Sequence, residues 1–104
     1  IKVDQLDKGR ILCTQLEKRH GLSRNAVSVL YGVIQEELFD SSKSMSLDEV
    51  AHHIGLSKQS ARKYVEELLA AGLVVQTGKR PLKIQVSKSL RNVLVTGVDE
   101  NAEA

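Results

Sequence analysis

Apolar positions recur with a helical period as far as Gly72 and with a strand period beyond it. Over residues 3–20 the apolar residues Leu6, Leu12, Cys13 and Leu16 keep a helical spacing, which lines up one face of a helix, although Gly9 weakens it. Gly21 breaks the pattern, and Ser23 stands where its side chain can accept from a free backbone N–H of a new first turn. From Arg24 to Phe39, the residues Ala26, Val27, Leu30, Tyr31, Val33, Ile34 and Leu38 form a broad apolar stripe, the mark of a core helix. Residues 40–44 are polar and predict a loop. Ser46 followed by Glu49 is a capping box, so a short helix is expected over 47–54. Gly55 ends it, because glycine tolerates the left-handed conformation just past a helix. Ser57 caps a further helix over 58–71, which Gly72 ends.

After Gly72, Leu73, Val74 and Val75 are β-prone, and Leu82, Ile84 and Val86 alternate with Lys83 and Gln85. Gly78, Lys79, Arg80 and Pro81 lie between the two runs, which predicts a hairpin. Residues 90–95 read as a short strand or helix, and 99–104 as a frayed acidic tail. The expected fold is mainly α with a small β-hairpin, a three-helix core plus a wing. That is the winged helix-turn-helix arrangement. The expected organisation is an N-terminal linker or dimerisation helix over 1–20, the winged domain over 21–88 and a C-terminal extension over 89–104.

A helix-turn-helix crosses two helices at a steep angle over a short turn. Ala51 gives the small residue needed for close approach, and Gly55 the residue that accepts positive φ. Leu56 is expected to plug the core from the turn. Ala61, Tyr64, Val65, Leu68 and Leu69 form the inward face of the second helix. Gly21-Leu22-Ser23-Arg24 echoes Gly55-Leu56-Ser57-Lys58. The helix after the first copy turns acidic at Glu36, Glu37 and Asp40, so the echo reads as two independent stop-and-cap signals rather than a repeat.

Composition narrows the class. A length of 104 residues suits one domain, and 41% hydrophobic with 27% charged residues is a folded rather than a disordered profile. Aromatics are only 3%, so the core rests on aliphatic side chains. A lone cysteine, Cys13, forbids an intrachain disulfide and fits a reducing cytoplasm. No apolar run is long enough for a membrane span, and no signal peptide is visible. The start at Ile1 leaves room for an upstream domain in a longer protein.

The net charge is only +2, but residues 57–88 carry seven basic and two acidic side chains, +5, leaving −3 for the rest. A basic segment on a near-neutral chain is the footprint of a surface that binds polyanions. The outward face of the second helix carries Lys58, Gln59, Arg62, Lys63 and Glu66, with Ser60 between faces. In this motif the N-terminal part of that helix enters the major groove of double-stranded DNA. Arg and Lys suit guanine edges and Gln suits adenine. The expectation is therefore that Gln59, Ser60 and Arg62 read bases. Lys58 and Lys63, with Ser57 at the helix start, hold phosphates. Lys79 and Arg80 at the hairpin tip, with Lys83 on the second strand, suit the backbone or the minor groove.

Enzyme chemistry finds no support in the sequence. His52 and His53 are adjacent and diverge on a helix, and with Cys13 and His20 they make no zinc spacing. Cys13 lies on an apolar face. No signature of a nucleophilic triad, P-loop or dinucleotide site is present. No cofactor, metal or catalytic residue is expected.

The run Ser57-Lys58-Gln59-Ser60-Ala61-Arg62-Lys63-Tyr64-Val65-Glu66-Glu67-Leu68 resembles the recognition helix in the effector domain of citrate/malate-sensing two-component response regulators. The leucine-rich stretch from Gly21 to Gln35 is similar as well, and the resemblance spans most of residues 8–86. It implies that Arg62 and Lys63 face DNA and Tyr64 packs inward, that a phosphoreceiver domain lies upstream, and that a dimer binds paired sites. The family's wing carries Gly-Arg-Pro, where this chain has Gly78-Lys79-Arg80-Pro81 in a shorter hairpin. Two other functions remain open on the residues. One is a winged helix used for protein contacts, with the 6–16 face as a homodimer seam. The other is a winged helix that binds RNA or a replication origin. The lysines of the second helix weigh against the protein-contact reading, because interfaces are depleted in lysine.

Overall fold

A computed structural model describes the backbone of residues 3–40 and 42–96, and the side chains of 7–40 and 42–93. The element order is α1 (Val3–His20), α2 (Arg24–Phe39), β1 (Met45–Ser46), α3 (Leu47–Ile54), α4 (Lys58–Ala70), β2 (Val74–Lys79), β3 (Leu82–Val86) and α5 (Lys88–Thr96). Helices thus dominate, and the sheet is small and antiparallel in the order β1-β3-β2. The tri-helical unit α2, α3 and α4 followed by the β2–β3 hairpin is a winged helix-turn-helix.

Local signals set the ends of the elements. Ser23, Ser46 and Ser57 each cap a helix, their hydroxyls accepting from the N–H groups of Ala26, Glu49 and Ser60. At Ser46 the box is complete, because the Glu49 carboxylate accepts the Ser46 N–H in return. Gly55 is left-handed, with φ 69° and ψ 30°, which is what the tight turn between α3 and α4 requires. The same closure occurs three times. Leu22, Leu56 and Leu73, each following a glycine, donate their N–H to the carbonyl five residues back, at Glu17, Ala51 and Leu68. This is the Schellman bond that satisfies an orphan carbonyl at a helix end.

Several expectations change. The helix expected over 58–71 stops at Ala70, with Ala71 as its cap. The polar loop after α2 leads into a short strand, β1, which pairs with β3 through Met45↔Ile84 and Ser46↔Lys83. Two residues are too few to show a period, so the strand is invisible in the sequence pattern. Residues 90–95 are helical, within α5. Leu56 does not plug the core: it is 41% exposed, whereas its counterpart Leu22 is buried. The packing of Leu6 and the tail at 99–104 lie outside the described residues.

The core is centred on α2, which packs on α1, α3, α4 and β3. Val29, Leu30, Val33 and Ile34 of α2 are fully buried with Ala61, Val65 and Leu68 of α4 and Ile84 and Val86 of β3. Ala51 is buried where α3 crosses, as its small size allows. Leu12, Cys13 and Leu16 of α1 join the same cluster. The face first read as a homodimer seam is therefore covered within the chain at these three positions. Burial pushes the Cys13 thiol up to about 12, so it stays a protonated core group at neutral pH.

Two carboxylates are structural ties. Glu37, buried in α2, accepts the Val86 N–H at 2.5 Å and the Arg91 guanidinium at 3.2 Å, joining α2 to the end of β3 and to α5. Glu67 of α4 accepts both the N–H and the hydroxyl of Ser23, at 2.8 and 2.9 Å. It thereby completes the cap of α2 from another helix.

Candidate nucleic-acid interface

Helix α4 begins at the turn held by Gly55 and Ser57, and its core-facing residues fix its roll. With Ala61, Val65 and Leu68 buried, the side chains of Lys58, Gln59, Arg62, Lys63 and Glu66 are all exposed. Tyr64 is half-buried and its hydroxyl accepts from the Asn25 side chain at 3.0 Å. The Lys63 ammonium lies 5.9 Å from the Tyr64 ring centroid, within the range of cation–π attraction. The Ser57 hydroxyl accepts from the Ser60 N–H and donates to the Ser60 hydroxyl, both at 3.2 Å, so these two serines are engaged with each other at the helix start.

The hairpin is shaped by a bulge. Gln76 pairs with Ile84 and Gly78 with Lys83, which leaves Thr77 as the extra residue on β2. The Thr77 hydroxyl donates to Ser44 at 2.9 Å. A Cβ on Gly78 would come within 3.2 Å of the Pro81 carbonyl, so the tip closes tightly at this glycine. Beyond it Lys79, Arg80 and Pro81 are exposed at the tip.

One cleft brings the two basic sets together. It is about 340 Å³ in volume, and its walls include Lys58 and Arg62 of α4, Lys79 and Arg80 of the tip, and Asp48 of α3. Leu47, Pro81 and Leu82 line it as well. The chain separates Lys58 from Arg80 by a helix and a strand. The return of β2–β3 alongside the start of α3 sets them around one space. Ser57, Gln59, Ser60, Lys63 and Lys83 do not line this cleft. Lys83 is exposed on β3 opposite Ser46.

Sequence reasoning missed Asp48. It lies in the first turn of α3, where a carboxylate is favoured by the helix dipole, and the sequence gives no other reason for it. In the fold its Oδ1 lies 3.3 Å from the Lys58 ammonium. The only signal available beforehand was the crossing of α3 and α4, which brings the first turns of both helices near the same face.

His52 and His53 are both exposed on α3, and the His53 ring lies over Gly32 of α2, where a Cβ would meet its Nε2 at 2.6 Å. Among the described residues no three His, Cys, Asp or Glu side chains are gathered as metal ligands. No described helix is long and apolar enough to cross a membrane.

No family model matches the sequence, and no curated protein matches it. Solved structures share the fold. A protein of the thermoacidophilic archaeon Sulfolobus tokodaii superposes with a TM-score of 0.63 and 23% identity, covering 80% of this chain and 83% of its own. A multiple antibiotic-resistance repressor (MarR) from Listeria monocytogenes superposes with a TM-score of 0.54 and 18% identity, covering 88% of this chain and 62% of its own. At these identities the likeness is one of fold.

Proposed function

We propose that this winged helix-turn-helix domain binds double-stranded DNA as the DNA-reading part of a transcriptional regulator. The observation that carries the reading is the single cleft shared by Lys58, Arg62, Lys79 and Arg80. Four cations from two elements around one space suit a polyanion whose phosphates are regularly spaced. The start of α4 enters the major groove, where Gln59, Ser60 and Arg62 face base edges, and Ser57, Lys58 and Lys63 hold phosphates. Lys79 and Arg80 lie on the backbone or minor groove, with Lys83 behind them. The fold likeness to a repressor supports a regulatory role.

The resemblance of Ser57–Leu68 to response-regulator effectors supports a finer form of the reading. In that form an upstream receiver domain controls a dimer on paired sites. No catalytic step is assigned to the chain.

The test is binding to random-sequence duplex across a salt series, with an Arg62→Ala/Lys63→Ala variant alongside. Affinity that falls steeply with salt, and a shallower slope in the variant, are the expected results. No binding at low salt, or a variant with an unchanged slope, overturns the reading.

A further inference from the structure

Of the four cations on the cleft, Lys58 alone is paired. Its ammonium lies 3.3 Å from Asp48, while Arg62, Lys79 and Arg80 have no ion-pair partner among the described residues. Both members of the pair are well exposed, at 62% and 74% of their side chains, so the pair does little for folding. It is also not required for capping. The Ser46–Glu49 box serves the start of α3 without Asp48, and Ser57 serves the start of α4.

We infer that Asp48 is a positioning residue that holds Lys58 away from phosphate and so limits the affinity of the domain for duplex of arbitrary sequence. The inference rests on the DNA-binding reading and deepens it. A phosphate entering the cleft meets three free cations and one whose charge is already answered. To engage Lys58 it must displace the carboxylate, and the displaced anion then sits on the same wall and repels it. Phosphates are the same in every sequence, so this cost falls on all duplexes alike. Lowering the sequence-independent part of binding raises the share left to base contacts such as those of Gln59 and Arg62.

The experiment is the anisotropy of a labelled random-sequence duplex titrated with the whole chain across a salt series. The variants are Asp48→Asn, Asp48→Ser, Lys58→Met and Asp48→Asn/Lys58→Met, each checked for an unchanged thermal melt. Asp48→Asn and Asp48→Ser are expected to bind about three- to tenfold tighter than wild type, with a salt slope steeper by about one as Lys58 becomes free to release a counterion. In the Lys58→Met background, Asp48→Asn is expected to give less than about half of that gain on a logarithmic scale. Equal or weaker binding by both Asp48 variants overturns the inference while leaving the DNA-binding reading intact. The same gain with and without Lys58 also overturns it, because the carboxylate would then act on the whole cleft and not through that lysine. Absence of binding by wild type and variants together overturns both.

Discussion

Glu37 and Arg91 meet across 54 positions of the chain, the guanidinium Nε donating to Oε2 at 3.2 Å while Nη2 lies in ion-pair contact with the same oxygen, also at 3.2 Å. The other carboxylate oxygen takes the Val86 N–H at 2.5 Å. The carboxylate is buried whereas the arginine is 40% exposed, so its removal costs more from the Glu37 side. Glu37→Ala leaves the Val86 donor without an acceptor in the core and frees α5. A loss of about 2–3 kcal/mol is expected, with Glu37→Gln losing less because its amide oxygen can still accept from Val86. Urea denaturation measures both. A Glu37→Ala protein with wild-type stability would show that α5 is not held through this residue.

Glu67 caps α2 from within α4, and Ser23 is both its partner and the local cap. Ser23→Ala should cost about 1 kcal/mol, as a lost N-cap does. Glu67→Ala should cost about 1–2 kcal/mol through lost hydrogen bonds to a charged acceptor. Because the two share their bonds, the double variant should be more stable than the sum of the single losses by about 0.5 kcal/mol or more. Additive losses in a thermal or urea cycle would show the two groups to act separately.

Acid sensitivity follows from Glu49. The Ser46 N–H, and after it the Lys43 ammonium at 3.0 Å, hold its carboxyl below the ordinary value of 4.5. A folded value below the unfolded one gives stability that is present above about pH 4.5 and is lost as the pH falls through the folded value. Glu49→Gln should therefore flatten the fall in stability below pH 4.5, while lowering the plateau at neutral pH. Melting temperatures recorded from pH 7 downward in both proteins decide it, and parallel curves would assign the acid loss to other groups.

The wing and the helix should separate by type of effect. Lys79→Ala/Arg80→Ala is expected to weaken binding equally across duplex sequences and to reduce the salt slope by about two. Gln59→Ala is expected to leave the slope unchanged and to relax base preference at one position by about 1–3 kcal/mol. Selection of preferred sites followed by a salt series on each variant reads both quantities. A wing variant that changed site preference would place those residues on base edges.

The three Gly-Leu pairs show where legibility in the sequence ends. At Gly21-Leu22, Gly55-Leu56 and Gly72-Leu73 the chain stops a helix with one bond pattern, and that pattern depends only on residues within a turn of one another. Helix starts at Ser23, Ser46 and Ser57, the 3.6-residue stripes of α2 and α4 and the change of period after Gly72 are equally local. They determined the order from α1 to α4 and the hairpin, and which residues of α4 face outward, but neither the two-residue β1 nor the choice of helix for α5. Whether the leucine is then buried is another matter. Leu22 and Leu73 are covered by neighbouring elements while Leu56 faces solvent at the edge of the α3–α4 turn. Glu37, Glu67 and Asp48 differ little in sequence from the solvated acids around them. Their partners Arg91, Ser23 and Lys58 lie 10 to 54 positions away in the chain. Only packing brings such groups within hydrogen-bond reach, because the energy of a buried or paired charge depends on its surroundings in space and not on its neighbours in the chain. The same holds for the shared cleft. The sequence alone determined that α4 and the hairpin tip are basic, and the tertiary structure decided that their charges surround one space with a carboxylate on its wall.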